Sequence, residues 1–258
     1  MQLKDKVIIV TGGGRGIGKA LAVGYAQEGA KIVAASRSKG QLDQVVEKIQ
    51  SQGGQAISVP TDVRSLPQAK NLAQQTVDQF GKIDVLVNNA GINPRGLFLD
   101  SKSEEWEQAW QINVVGVVNC CRAVLPVMQA QGHGNIINMG SGMGQVGRGN
   151  LSVYCASKFA LHGFSDALRA ELAPTGIDVM LCSPSTTSSE FFDHARQRGG
   201  SFREVNLGAM LPRAVARKTI QGIRRGRHEV ILSFNGRLLV WLDRLLPSLA
   251  DRIVVWFS

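Results

Sequence analysis

Cysteine is scarce: four residues in 258, at Cys120, Cys121, Cys155 and Cys182, with no CxxC and no Cys/His metal spacing among them. Two of the four are adjacent, and adjacent cysteines rarely pair with each other. The pattern therefore reads as four buried thiols in a reducing compartment, the cytoplasm, with no disulfide framework and no metal site. Long hydrophobic runs are missing too. After Met1-Gln2-Leu3-Lys4-Asp5-Lys6 only Val7 to Val10 are consecutively apolar, too short for a secretory leader. No stretch approaches the roughly 20 apolar residues of a membrane-spanning helix. Proline is low, 8 against 29 glycines, and composition excludes collagen, low-complexity and coiled-coil readings. No linker divides the chain.

Acidic residues are in deficit: 29 Lys and Arg against 20 Asp and Glu leave a net charge of +9. The deficit is local. Residues 1–195 carry 17 basic and 16 acidic side chains, whereas residues 196–258 carry 12 and 4. A molecule-wide nucleic-acid footprint would spread the charge, so no nucleic-acid partner is expected, and the Arg cluster at residues 224–227 is the only support for one. What the chain does have is 44% apolar and 19% charged residues, enough apolar surface to offset chain entropy in one large domain.

Short apolar runs alternate with longer amphipathic stretches. Strands are expected at about 7–10, 32–35, 56–59, 83–87, 135–139, 178–182 and 230–232. Helices are expected at about 16–28, 39–50, 66–80, 104–129 and 152–173. Repeated strand–helix alternation implies an α/β fold: a doubly wound parallel sheet with helices on both faces, the three-layer Rossmann architecture, in a single domain over 1–258. The long Ser-, Thr-, Arg- and Gly-rich connection at about 184–212, seeded with Phe191, Phe192, Phe202 and Met210, reads as a substrate lid. A plain surface excursion with one short helix is the other reading.

Between the first strand and first helix stands Thr11-Gly12-Gly13-Gly14-Arg15-Gly16-Ile17-Gly18. Glycines let the backbone turn sharply beside a ligand, and the helix N-terminus offers free N–H groups to a pyrophosphate. The second strand ends Ala34-Ala35-Ser36-Arg37 and lacks the acidic residue that would accept from a ribose 2′-hydroxyl. Arg15 and Arg37 could instead bracket a 2′-phosphate, so NADP(H) is expected in preference to NAD(H). Tyr154 and Lys158 are four apart and share a helix face, and Ser141 precedes them just past the fifth strand. A nearby cation would favour the phenolate of Tyr154.

Taken together, these motifs resemble the short-chain dehydrogenase/reductase family. Thr11-Gly12-x3-Gly16-x-Gly18 matches its cofactor turn, Asn88-Asn89-Ala90-Gly91 its fourth-strand motif, and Asn113, Ser141, Tyr154 and Lys158 its catalytic tetrad. The resemblance covers about residues 5–190 and implies the roles. Tyr154 would exchange a proton with the substrate oxygen, and Ser141 would hydrogen-bond that oxygen. Lys158 would hold the nicotinamide ribose and depress the Tyr154 pKa, and Asn113 would hold a water linking Lys158 to solvent. Asp62, with Val63 beside it, would receive the adenine amino group, and Asn89, Ala90 and Gly91 would flank the adenosine ribose. Gly14, Ile17 and Ser36 complete the expected cofactor wall. Where the family has Pro-Gly after the sixth strand this chain reads Pro184-Ser185, with Thr187 and Ser189 offered to the carboxamide or a phosphate. The implied activity is hydride transfer between NADP(H) and a carbonyl or secondary alcohol, with a homodimer or homotetramer as the assembly. A dinucleotide-binding sensor or scaffold without turnover is the competing reading.

The C-terminal segment, about 224–258, adds Arg237-Leu238-Leu239-Val240-Trp241-Leu242-Asp243-Arg244-Leu245-Leu246 before Pro247. As a helix it places Arg237, Arg244, Ser248 and Arg252 in a polar stripe, with Leu238, Trp241, Leu242 and Leu245 opposite. Such a segment either contacts an anionic membrane surface or packs on its own subunit or a second copy. Both suit a hydrophobic substrate.

Overall fold

The structure, a computed structural model, describes residues 1–185, 187 and 209–256. Seven parallel strands form one sheet in the order β3-β2-β1-β4-β5-β6-β7. They are β1 (Val7–Thr11), β2 (Lys31–Ser36), β3 (Gln55–Pro60), β4 (Val85–Asn88), β5 (Gly134–Met139), β6 (Ile177–Ser183) and β7 (Glu229–Ile231). The expected doubly wound sheet is present. The winding reverses between β1 and β4, which opens a crevice at the carboxyl ends of those strands.

Strand side chains alternate faces, and the core divides accordingly. Ile9, Val33, Ala35 and Ile136 pack under α3 (Leu66–Phe80), α5 (Gly116–Gln131) and α6 (Ser152–Leu172). Ile8, Val10, Ile32, Ile137 and Met139 pack under α1 (Gly16–Gln27), α2 (Lys39–Ser51) and α7 (Pro212–Arg224). Each fully buried Ile or Leu contributes roughly 1.5–3 kcal/mol of transfer free energy, so strands apolar on both faces stay sandwiched. All four cysteines are free and buried, as expected, with Cys120, Cys121 and Cys182 in these layers.

Two elements depart from the sequence reading. Helix α7 lies in a stretch with no expected element. Its Pro212 starts the helix, and Val215, Ala216, Thr219, Ile220 and Ile223 turn inward, with Ile220 and Ala216 against Gly24 of α1. The long fourth helix is not uniform. It runs as α4 (Ser103–Trp110), a π-helical turn (Gln111–Val115) and α5. Together, Ser103–Gln131 is 29 residues with a window of mean hydropathy 1.4, long and apolar enough to cross a membrane by length and composition. More than half of that window is buried inside the protein, which is the packing of a core helix.

After β7, α8 (Phe234–Leu245) and α9 (Pro247–Trp256) are separated by the Pro247 break. On α8, Leu242 lines the central cavity while Leu238, Trp241 and Leu245 are exposed, so the apolar stripe faces outward and Arg237 and Arg244 flank it, rather than opposing it. Of the stretch read as a lid, only 184, 185, 187 and 209–212 are among the described residues. There, Thr187 is buried and bridges Met210 in parallel.

Candidate active site

A cavity of about 680 Å³ occupies the crevice, within the range of small-molecule sites. Gly12, Gly14, Arg15, Gly16, Ile17 and Gly18 line one end with Ser36 and Arg37. Asp62, Val63, Asn89, Ala90 and Gly91 line the middle. Ser141, Tyr154, Lys158, Pro184 and Thr187 line the far end. The sequence-predicted residues thus converge from the glycine turn, α6 and the carboxyl ends of β2, β3, β4, β5 and β6, with two exceptions. Asn113 stands behind the wall, and Ser189 lies outside the described residues.

The glycine turn is held by β4. Thr11 Oγ1 donates to the Val87 carbonyl (3.2 Å) and accepts from the Asn89 and Ala90 N–H groups (3.0 and 3.1 Å). Asn89 Nδ2 donates back to the Thr11 and Gly12 carbonyls (3.0 and 3.4 Å). Asn89 is therefore first a clasp on the turn, a role that the resemblance did not imply. A Cβ at Gly18 would run into the Gly12 carbonyl, so only glycine lets the turn fold back onto the start of α1.

These residues fit a dinucleotide. Gly16, Ile17 and Gly18 of the first turn of α1 line the cavity, and the start of a helix is where a pyrophosphate finds backbone donors. At the end of β2 the buried Ser36 Oγ has no hydrogen-bond partner among the described residues, beside Arg37, Ser38 and Gln41 in the cavity wall. A buried hydroxyl without a partner costs stability unless a ligand completes it. Asp62 departs from expectation. Arg64 grips both carboxylate oxygens through Nε (3.0 Å each), Nη2 (2.5 Å) and its own N–H (3.0 Å). That pair holds the Asp62 carboxyl below the usual range. Its acceptor sites are filled, so an adenine amino group would have to displace Arg64.

At the far end, α6 presents Tyr154 and Lys158 one turn apart, both buried. Ser141 follows β5 on a short turn, Gly142–Gly144; its hydroxyl accepts from the Met143 N–H (3.2 Å) and lies near enough to the phenol of Tyr154 to favour its ionised form. Gly144 makes this approach possible: a Cβ there would sit 2.8–2.9 Å from the Lys158 carbonyl and Cβ. The sequence reading missed Gly144, because nothing local marks a glycine chosen for contact with a helix 14 residues on.

The electrostatics correct one expectation. Burial pushes the Tyr154 pKa up to about 12. The Ser141 hydroxyl opposes this, Cys155 adds to it, and the charge of Arg95 lowers it. Lys158 is not among the groups that lower it. Its ammonium donates to the Met139 carbonyl (2.8 Å) and lies 5.7 Å from the Tyr154 ring centroid, and burial pulls its own pKa down to about 8. In this state desolvation outweighs the expected lysine–phenol coupling. Arg95, a cavity-lining residue the sequence reading did not single out, favours the phenolate to a smaller degree.

Asn113 sits in the π turn, wholly buried. Its Oδ1 accepts from the Ile92 N–H (2.8 Å), and Nδ2 donates to the Ile92 carbonyl (2.9 Å) and Ser157 Oγ (2.9 Å). Both amide hydrogens are spent on protein, so the side chain fastens the β4 loop to α6 and is not a free donor for the expected water. A π turn inserts one residue into the helix, and here it re-aims Asn113 toward that loop.

A family model described as short chain dehydrogenase matches residues 6–199. The ketoacyl reductase HetN of a Nostoc species is 33% identical over 262 residues, which cover 99% of this chain and 90% of that protein. A 3-oxoacyl-acyl-carrier-protein reductase of a Synechocystis species is 37% identical over 193 residues, 74% of this chain and 78% of its own. A solved short chain dehydrogenase/reductase from Burkholderia phymatum, in complex with NAD, shares the fold with a TM-score of 0.88, at 26% identity over 96% of both chains. The matched span holds the glycine turn, the Thr11–Asn89 clasp and the Ser141–Tyr154–Lys158 cluster, and on that footing the chain belongs to the short-chain dehydrogenase/reductase family, as an oxidoreductase acting on carbonyl or alcohol groups with a nicotinamide cofactor.

Proposed function

We propose that the protein is an NADP(H)-dependent oxidoreductase that reduces a lipophilic ketone or aldehyde, or oxidises the corresponding secondary alcohol. The observation that carries this reading is the convergence of Ser141, Tyr154 and Lys158 on the same cavity that the glycine turn lines. When bound, the cofactor supplies the hydride. The chain supplies everything else. Tyr154, its proton held by burial, donates to the carbonyl oxygen in reduction and recovers a proton in oxidation. Ser141 orients that oxygen, and Lys158 holds a positive charge beside the ribose position. Asn113 and Ser157 fix the angle between α6 and the β4 loop.

Lipophilic substrates are supported by the apolar wall of Met143, Val146, Leu151, Leu239 and Leu242. Two relatives are named as reductases of ketoacyl and 3-oxoacyl groups, which makes a carbonyl on an aliphatic chain the first class to try. NADP(H) preference rests on Arg15 of the glycine turn and on Ser36 and Arg37 at the end of β2, where no carboxylate stands to accept from a 2′-hydroxyl. Trp110 and Phe159, about half exposed on contacting helices α4 and α6, offer a face that a homodimer or homotetramer would cover. Four buried unpaired thiols suit the cytoplasm.

The test is NADPH oxidation across medium- and long-chain ketones, aldehydes and 3-oxoacyl thioesters. Turnover with at least one class is expected, falling by about a hundredfold or more in Tyr154→Phe. Arg37→Asp should weaken NADPH more than NADH. Equal weakening of both removes the 2′-phosphate assignment. Full activity in Tyr154→Phe removes the catalytic one. NADPH binding without turnover anywhere in the panel would make the chain a dinucleotide sensor.

A further inference from the structure

We propose that α8 is an interfacial helix that seats the protein on an anionic lipid bilayer, beside the mouth of the substrate cavity. This goes beyond the catalytic reading and does not depend on it. Phe234, Leu238, Trp241 and Leu245 follow one another at spacings of four, three and four residues, so they share one face. They are 72%, 60%, 60% and 69% exposed, and exposed Leu246 and Leu249 stand on either side of the Pro247 break. Scattered single leucines are ordinary on a protein surface, but a contiguous stripe of Phe, Trp and Leu marks an interaction site.

Charge selects the occupant. At about 100° per residue, Arg237 and Arg244 lie ~60–80° round from the apolar stripe, both exposed. Asp243 is turned to the far side of the helix. Arg252 on α9 is exposed as well. An apolar face with Trp and Leu, edged by arginines, is the arrangement that buries its apolar side in the acyl boundary and pairs its edge with anionic headgroups. A second copy of the chain would bring the same arginines against each other, which disfavours this face as a self-interface. With 12 residues, α8 is about 18 Å long, too short to cross a hydrocarbon core of about 30 Å, so it lies on the surface.

The other side of the helix completes the argument. Leu239 and Leu242 line the cavity, and Leu238 belongs both to its wall and to the exposed stripe. A bilayer engaging this face would lie next to the cavity mouth, where a lipophilic substrate could enter without crossing water.

The full chain is sedimented with phosphatidylcholine vesicles and with vesicles containing about 30% phosphatidylglycerol, at low and high salt. Binding to the anionic vesicles that weakens with salt, with a blue-shifted tryptophan emission, is expected. Phe234→Ser/Trp241→Ser/Leu245→Ser should lower affinity by at least about tenfold, and Arg237→Glu/Arg244→Glu should abolish the preference for anionic lipid. None of these five residues lines the cavity, so NADPH binding by each variant reports that the fold is intact. The proposal is overturned by absent or charge-indifferent vesicle binding, or by variants that bind like the parent. A concentration-dependent dimer lost in the triple variant, without vesicle binding by the parent, would assign the face to a second copy instead.

Discussion

Tyr154 shows how one side chain's surroundings set the direction of chemistry it is ready for. With its pKa pushed up to about 12, the phenol is protonated at neutral pH and stands as a proton donor. Carbonyl reduction needs a donor, and alcohol oxidation needs the phenolate. The kcat/KM for reduction should therefore show no loss on the Tyr154 account from pH 6 to 9, while that for oxidation should climb through the same range. Lys158, held near 8, loses its charge over the upper part of that range, and a Lys158→Arg variant, which cannot deprotonate, should remove any break it causes. Paired pH–rate profiles in both directions measure this, and an oxidation rate already level at pH 7 would refute the ordering. That Ser141, Tyr154 and Lys158 share one cavity was legible because their spacing survives in the linear chain. Their partners were not. Ser157 meets Asn113 across 44 residues and Arg95 acts on Tyr154 across 59, and such pairings exist only after the sheet has brought β4 and α6 together.

Strand and helix positions followed from hydrophobic period, and most boundaries fell within two residues of those expected. The failures have physical causes. A π turn keeps the overall helical pattern and differs only by one inserted residue, so periodicity cannot reveal it; Asn113 is its one visible sign. Helix α7 has its strongest signals in Pro212 and an apolar period that begins inside a polar connection, and it forms because α1 offers Gly24 as a flat surface, a contact made across about 190 residues of chain. Close approach also decides the turn that carries Ser141. Gly144→Ala would push a methyl into the backbone of α6 at Lys158, and the turn must retreat. Overpacking of this kind costs about 1–3 kcal/mol. The larger effect is on placement, since a displacement near 1 Å can cost about a hundredfold in rate. We expect kcat to fall by about that factor with the dinucleotide Kd unchanged, because the glycine turn lies at the other end of the cavity. Stopped-flow turnover and fluorescence titration separate the two, and a variant with parental kcat would show that the turn is not what positions Ser141.

The whole sheet is tied at the end opposite the site by one carboxylate. Asp84, whose side chain is 1% exposed, accepts from the Val7 N–H (2.8 Å) and pairs with Lys6 and Lys82 (2.9 Å each), and His133 Nε2 lies 3.3 Å away. Its own backbone bonds Val7 and Asn135, so the starts of β1, β4 and β5 meet there. Burial alone would raise the Asp84 pKa, but the Val7 N–H and the two lysines together outweigh it and hold the carboxyl below its ordinary value. A group lowered in the folded state contributes stability that is complete above its unfolded pKa, about 3.9, and is lost as pH falls through the folded value. Asp84→Asn keeps the shape and removes the charge. It should cost about 2 kcal/mol at pH 7, where two ammonium groups and an N–H lose their charged acceptor. In a chain of this size that is a Tm lower by about 6 °C. The difference between parent and variant should then shrink between pH 5 and pH 3, because acid removes from the parent what the substitution has already removed. Thermal melts at intervals across that range decide it. A difference that stays constant down to pH 3 would mean that packing around the side chain, and not its charge, ties the three strands together.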